Sequence, residues 1–406
     1  MVNWKRQIVL LWWCQLLAIA SMEMSEPFWP LFLRQLSPES ENIVIWSAVI
    51  YGAPLFVSGL VAPYWGALGD RYGHKKMVLR ASLGLALTQG LLYFSSSLWE
   101  VLVYRLLQGA LAGIITAVLC LANSLAPQES RSTVIGQLTS ATAAGAIFGP
   151  LLGGILIQWL SFTALFGVAS ITCLIITVLL MWRVSSDDKD CNLVTKTFPL
   201  KLDEGMTVSR YTHLIWLFLS VIFLLQIAKS IPSSFFALYT EEYLVATPFF
   251  TGLLFSAAGV GMMFSAPYWG KCFDRLRSGN QPLLLALIAS FASLCYLLHL
   301  QTEWLILLIV RFIWGLCLGA MLPMVQALMI SMTEQRQQGL LIGRAQRTIK
   351  LGNLAGVSVG ALILTYWDYE AGFSVAASVY LLCSLVLFIT WDKLNRSSLP
   401  EASAEQ

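Results

Sequence analysis

Ala62-Pro63-Tyr64-Trp65-Gly66-Ala67-Leu68-Gly69-Asp70-Arg71 returns later in the chain as Ala266-Pro267-Tyr268-Trp269-Gly270-Lys271-Cys272-Phe273-Asp274-Arg275. The five-residue head is identical, and the Asp-Arg pair follows at the same distance, an offset of 204 residues. Each copy ends a long apolar run. Working outward, Arg105 matches Arg311 at an offset of 206, while Ile135-Gly136 matches Ile342-Gly343 and Gly149 and Gly153 match Gly356 and Gly360 at 207. A nearly constant offset marks a chain built from two related halves. Repeated halves of this kind place a central cavity at their interface.

The composition says what surrounds those halves. Of 406 residues, 57% are hydrophobic and only 12% are charged, against about 25% charged in soluble domains. A membrane-crossing helix needs roughly 20 apolar residues. Apolar runs read as spans over 8–33, 43–67, 77–95, 98–122, 134–158 and 162–182, then 212–240, 248–270, 281–299, 303–330, 338–364 and 371–391. The expected architecture is an all-α membrane protein with twelve transmembrane helices in two pseudo-symmetric six-helix bundles. The bundles cover 1–182 and 211–391, with a polar linker at 183–210 and a polar tail at 392–406. The first run continues past Glu23 and Glu26 without a small-residue cleavage site, so it reads as a retained helix.

Basic residues fix the orientation. In this topology one connection on one side holds Arg34, and Arg105, Lys229 and Arg311 lie inside spans. The other 21 of 25, those at helix ends included, fall on the opposite side, which the positive-inside rule makes cytoplasmic together with both termini. The outer connections carry Glu39, Glu41, Glu100, Glu303, Asp368 and Glu370. Net charge is only +3, and no basic domain invites nucleic acid. The eight cysteines and three histidines form no ligand pattern, so neither metal nor cofactor is expected.

Three local patterns stand out. In Gly66-Ala-Leu-Gly-Asp70-Arg71-Tyr-Gly73-His-Lys75-Lys76, Gly66 and Gly69 permit close approach and Gly73 a tight turn. Asp70 can cap a helix or pair with Arg71. The second copy keeps Gly270, Asp274 and Arg275 but loses the Gly-x-Lys-Lys tail. Arg105-Leu-Leu-Gln-Gly109 puts an arginine inside a span, expensive unless paired or wetted, although at seven residues in it can also snorkel outward. Gly145-Ala-Ile-Phe-Gly149-Pro150-Leu-Leu-Gly153-Gly154 lines small residues along one face, with Pro150 expected to bend the helix.

Helix 1 adds Glu23 and Glu26, three apart and so on one face, before Pro27 and Pro30. Helix 7 carries Gln226 and Lys229. Phe28, Trp29 and Phe32 adjoin the acids, and Phe235 and Phe236 occupy the matching region of helix 7. They are expected to line a cavity suited to bulky cations.

These patterns resemble the major facilitator superfamily, and within it the twelve-helix drug:proton antiporters, from Trp4 to about Trp391. The resemblance implies that helices 1 and 7 face each other across the cavity, so that Lys229 neutralises one glutamate. It implies gating by the Gly66–Lys76 loop, a place for Arg105 near the proton path, and export from the Gly145–Gly154 pattern. The expected function is secondary active transport in a bacterial inner membrane. The expected form is proton-coupled efflux of amphipathic or cationic compounds by a protein functional as a monomer. The alternative cargo is a siderophore or other specific metabolite, exported or imported. No G-x-x-x-x-G-K-[ST] segment is present, which argues against ATP-driven transport, and no nucleophile–base or metal cluster suggests an enzyme.

Overall fold

Long apolar runs satisfy their backbone groups internally by coiling into helices. In the computed structural model, residues 4–40, 42–127, 130–184, 212–276, 280–300, 303–331 and 338–397 are described. Most of the expected linker, 185–210, and the end of the tail, 398–406, lie outside them. The helices are α1 (Trp4–Glu23), α2 (Trp29–Leu36), α3 (Ile43–Tyr72), α4 (His74–Tyr93), α5 (Leu98–Leu111), α6 (Ile114–Leu125), α7 (Arg131–Trp159) and α8 (Phe162–Arg183). They continue with α9 (Thr212–Ser230), α10 (Phe236–Tyr243), α11 (Pro248–Arg275), α12 (Gln281–Leu297), α13 (Trp304–Ser331), α14 (Gln338–Tyr366) and α15 (Tyr369–Ser397).

Among the described residues, ten helical stretches are long and apolar enough to cross a membrane. α12 is apolar but has 17 residues. α4 opens on His74, Lys75 and Lys76 and carries Arg80, which lowers its hydropathy. The protein is a multi-pass, all-α membrane protein.

Three expected spans are interrupted. Between α1 and α2, a 3-10 turn over Glu26–Phe28 holds Pro27. α5 and α6 are separated by Ala112 and Gly113, the latter at φ +117°. α9 gives way to a 3-10 turn over Ile231–Ser234, which contains Pro232, before α10. Pro150, by contrast, sits within a helix that runs unbroken from Arg131 to Trp159.

The chain divides into two compact units. One comprises Met1–Leu200 with Ser234–Ser256, and the other Lys201–Ser233 with Ala257–Gln406. In the first, α1 packs on α7 and α4 on α8; in the second, α9 packs on α14 and α12 on α15. The same helix partners recur, as the sequence repeat requires. Glycines make the first contact close. An ideal Cβ on Gly145 would lie 2.8 Å from the Leu16 carbonyl oxygen, and one on Gly149 would lie 2.6 Å from Glu23 Cβ. Gly153 faces the Met24 carbonyl, and Gly154 faces the backbone of Pro248 and Phe249. In the second unit, Gly352 and Gly356 bring α14 onto Phe223, Gln226, Ile227 and Ser230 of α9.

Candidate functional site

Two prolines prepare the centre of the first unit. Proline has no N–H, so in a helix it leaves the carbonyl four residues earlier without its usual donor. Pro54 uncovers the Ile50 carbonyl, and Arg105 Nε of α5 donates to it at 3.1 Å. Pro30 uncovers the Glu26 carbonyl, and the Tyr51 hydroxyl of α3 donates to it. Gly109 lets α5 approach closely enough: its ideal Cβ would lie 2.7 Å from the Pro54 Cα. Side chains from neighbouring helices thus take the hydrogen bonds that the prolines removed.

Arg105 is then held on every side. Its Nη2 donates to Glu26 Oε1 at 3.2 Å, and its Nη1 to Gln108 Oε1 at 2.8 Å. Its guanidinium carbon lies 4.7 Å from the centroid of the Trp29 ring. The arginine side chain is 4% exposed and that of Glu26 25%. Arg105 is therefore turned into the helix packing, and the snorkelling alternative is overturned. The fork geometry of a guanidinium suits this set of acceptors. Because Gln108 Oε1 accepts from Arg105, its Nε2 must be a donor, and it is buried without a hydrogen-bond partner among the described residues.

Several expectations need correction. Glu26 takes Arg105 as an ionic partner, a pairing that sequence reasoning did not offer; it offered Lys229 to one of Glu23 and Glu26 without choosing between them. The reason is that the break before Pro27 and Pro30 turns Glu26 towards α5. Glu23 is half-buried at the end of α1, and Lys229 is exposed on α9. Gln226 is buried. Phe28, Trp29, Phe32, Phe235 and Phe236 are 0–4% exposed. They are packed interior rather than walls of an open cavity. Trp29 and Phe32 stack around Phe166, with centroids 5.3 and 5.1 Å away, and Phe236 meets Phe255 edge-on at 5.2 Å.

The Gly66–Lys76 segment, expected as a loop, is helical but for Gly73: Gly66–Tyr72 end α3 and His74–Lys76 open α4. Gly73 takes φ +94° and turns the chain from α3 into α4. Gly69 approaches His74 and Met77, but Gly66 and Gly270 have nothing within 4 Å of an added Cβ, so close approach does not explain them here. Lys75 Nζ donates to the Val184 carbonyl at 2.5 Å and to that of Met181 at 3.2 Å. It caps the end of α8. Arg71 and Arg275 are exposed, and the side chains of Asp70 and Asp274 lie outside the described set.

Arg311 has a different setting from Arg105. It is 4% exposed, with its guanidinium 5.3 Å from the Trp314 ring centroid. Tyr296, His299, Phe373 and Tyr380 form a fully buried aromatic group beside that tryptophan, and His299 stacks on Tyr296 at 4.9 Å. His299 Nδ1 pairs with the Cys295 carbonyl at 2.7 Å.

Sequence reasoning missed two further features. Gln108 stands three residues after Arg105 and so shares its face, a readable signal. Arg34 pairs with both Glu241 and Glu242 of α10, with the latter at 2.9 Å; neither glutamate carried a local sign. Beside this pair, Leu31, Ile157, Leu160 and Phe162 line an open cavity of about 510 Å³.

Apolar helices in repeated sets, interrupted by proline where an arginine–glutamate pair is buried, define a polytopic membrane transporter. The chain belongs to the Major Facilitator Superfamily, whose family model matches residues 11–298 and 218–405. Among curated relatives, it is 29% identical over 402 residues to the Multidrug resistance protein MdtG of Salmonella heidelberg, covering 98% of each chain. It is 29% identical over 405 residues to the Multi-drug resistance efflux pump PmrA homolog of Lactococcus lactis, again covering 98% of each. Solved structures share the fold. The peptide transporter POT in complex with sulfate aligns with a TM-score of 0.76 at 14% identity, over 96% of this chain and 95% of that one. The human organic anion transporter MFSD10 aligns at 0.66 and 17% identity, over 95% of this chain and 100% of that one.

Proposed function

We propose that this transporter exports amphipathic or cationic organic compounds in exchange for protons, with Glu26 and Arg105 as the coupling pair. The reading includes twelve spans in two six-helix bundles, both termini in the cytoplasm of a bacterial cell, and a functional monomer. The observation that carries it is the ion pair, inside the helix packing and anchored by Ile50 and Gln108.

Charge arithmetic gives the pair its sense. With Glu26 ionised the pair is neutral overall. With Glu26 protonated, Arg105 keeps its positive charge without a counterion there. A cation is then disfavoured by protonation, as proton-for-cation exchange requires, whereas an anion would be favoured by it. The multidrug names of the full-length relatives support the same direction. The alternative, transport of a siderophore or other specific metabolite, drew on basic residues in the cavity. The engagement of Arg105 by Glu26 weakens that argument. Gating by the Gly66–Lys76 loop, with Asp70 and Arg71, and by its second copy at Asp274 and Arg275 belongs to the same reading.

The test uses purified protein in liposomes with ethidium and tetraphenylphosphonium as probes. An imposed pH gradient should drive uptake into vesicles that are acidic inside. Glu26→Gln, which fixes the charge state of protonated Glu26, should abolish driven accumulation and weaken binding of both cations. Driven accumulation that persists in Glu26→Gln would remove Glu26 from coupling, and accumulation of anionic probes alone would move the assignment to the alternative.

A further inference from the structure

In an unbroken helix, the carbonyls of Ala110 and Ala112 would accept from the amides of Ile114 and Thr116. Here two side chains stand in for those amides. Trp65 Nε1 of α3 donates to the Ala110 carbonyl at 2.7 Å, and Arg80 Nη2 of α4 donates to that of Ala112 at 3.1 Å. Between the two halves, Gly113 takes φ +117° and ψ +18°, a conformation that side chains with a Cβ rarely adopt. The Arg80 guanidinium lies 3.6 Å from the Trp65 ring centroid, so the two surrogate donors support each other. Arg80 Nε and Nη1 are buried and have no hydrogen-bond partner among the described residues. This arrangement therefore carries an uncompensated desolvation cost.

The second unit supplies the contrast. Trp269 Nε1 donates to the Leu316 carbonyl at 2.8 Å, repeating the Trp65 contact at the chain's internal offset. Yet α13 runs unbroken from Trp304 to Ser331. Gly319, the counterpart of Gly113, is not among the described glycines with positive φ. α12 contains no basic residue to repeat Arg80. The tryptophan contact alone therefore coexists with a continuous helix. The break goes with the arginine and the left-handed glycine.

We propose that Ala112–Gly113 is a hinge, with Arg80 and Trp65 as the positioning residues that hold it bent by occupying the carbonyls a straight helix would use. The halves it joins are α5, which carries Arg105, Gln108 and Gly109, and α6. Release of Arg80 lets the amides of Ile114 and Thr116 retake Ala110 and Ala112, straightening the helix. The proposal does not depend on Glu26 being the coupling carboxylate, nor on the cargo.

Spin labels at Val103 and Thr116, in full-length protein free of native cysteines and held in lipid nanodiscs, read the bend directly. A continuous helix separates these positions by about 20 Å of axial rise. The wild-type background should show a bent population and a straight one. Gly113→Ala should shift their ratio about tenfold towards straight. Arg80→Gln should shift it the same way. Trp65→Phe, which keeps an aromatic face for Arg80 but loses the indole N–H with its five-membered ring, should do so by a smaller factor. Labels at Ile309 and Leu322 of α13 should give one distance throughout. A single bent distance that neither Gly113→Ala nor Trp65→Phe changes would overturn the hinge. Ratios unmoved in Arg80→Gln would remove Arg80 from it. Should Arg80→Gln fail to fold, the Trp65→Phe ratio alone decides whether side-chain donors hold the bend.

Discussion

A glycine-to-alanine series turns the packing into signed numbers. Alanine in place of glycine inside a helix gains about 0.5–1 kcal/mol from backbone entropy alone. At Gly66, Gly136 and Gly270 an added Cβ meets nothing within 4 Å, so only that gain should appear. At Gly109 the Cβ would lie 2.7 Å from both the Cα and the carbonyl oxygen of Pro54, and at Gly149 2.9 Å from the Ala20 carbonyl oxygen. These are backbone atoms, which no rotamer change can move aside. Overpacking of this kind costs about 1–3 kcal/mol. The two classes should therefore differ by about 1–3 kcal/mol after the propensity gain is included in both. Thermal unfolding of purified protein in detergent, followed by tryptophan fluorescence, should place Gly66→Ala and Gly136→Ala at or above the wild-type midpoint. Gly109→Ala and Gly149→Ala should fall below it. Equal midpoints across the classes would refute the close contacts of α5 with α3 and of α7 with α1. Loss of transport by Gly66→Ala without loss of stability would show that this glycine is needed in another conformation.

Other outcomes follow from single contacts. Arg34→Ala removes two ion pairs to α10 at side chains 35–45% exposed, each worth about 0.2–1 kcal/mol; deuterium uptake in 236–243 should rise, high salt should mimic the effect, and unchanged uptake would discount the pairs. Lys75→Met removes both caps at the end of α8 and should destabilise by about 1–2 kcal/mol, with Lys75→Arg restoring part; a melting midpoint equal to wild type would refute the capping role. Arg105→Met leaves Glu26 without its partner and should cost about 3–5 kcal/mol. Arg311→Met places a thioether among aromatic rings, a favourable contact, and should cost less; the reverse order in thermal unfolding would refute the contrast between the two settings.

The repeat and the apolar runs made the helices legible, because both are properties of sequence pattern. The breaks were harder to read. Pro27 and Pro30 announced the first, but Ala112–Gly113 lay inside an expected continuous span: one glycine in a helix is commonplace, and its left-handed φ depends on Arg80 arriving from α4. The pairing of Glu26 with Arg105 was not foreseen for a similar reason. Its face could be assigned from spacing, but its partner depended on how far the break rotates residues 24–28. The aromatic residues near Glu26 were correctly placed in the chain and wrongly given a cavity, since composition does not distinguish a packed ring from one lining space. Tyr51 and Gln108 share the site because Pro30 and Arg105 leave acceptors and donors to be matched, a complementarity visible only once the helices are side by side.

The two arginines show how one scaffold can carry unequal chemistry. Arg105 and Arg311 occupy matched positions, yet Pro54, which uncovers a carbonyl for Arg105, corresponds at the 204-residue offset to Ala258. Glu26 corresponds to the stretch Ser230–Ser233, which holds no acid. Arg311 consequently sits among aromatic rings. Such rings hold a cation against their faces. Arg105 is held by a carboxylate. If proton binding is read at Glu26, the change of charge arises in the first unit, the one that also has a broken helix directly after Arg105 and Gln108. The second unit keeps the corresponding helix continuous. A carboxylate partner for the arginine and a helix break soon after it therefore occur together in the first repeat, whereas the matched arginine of the second lies against an aromatic ring in a continuous helix.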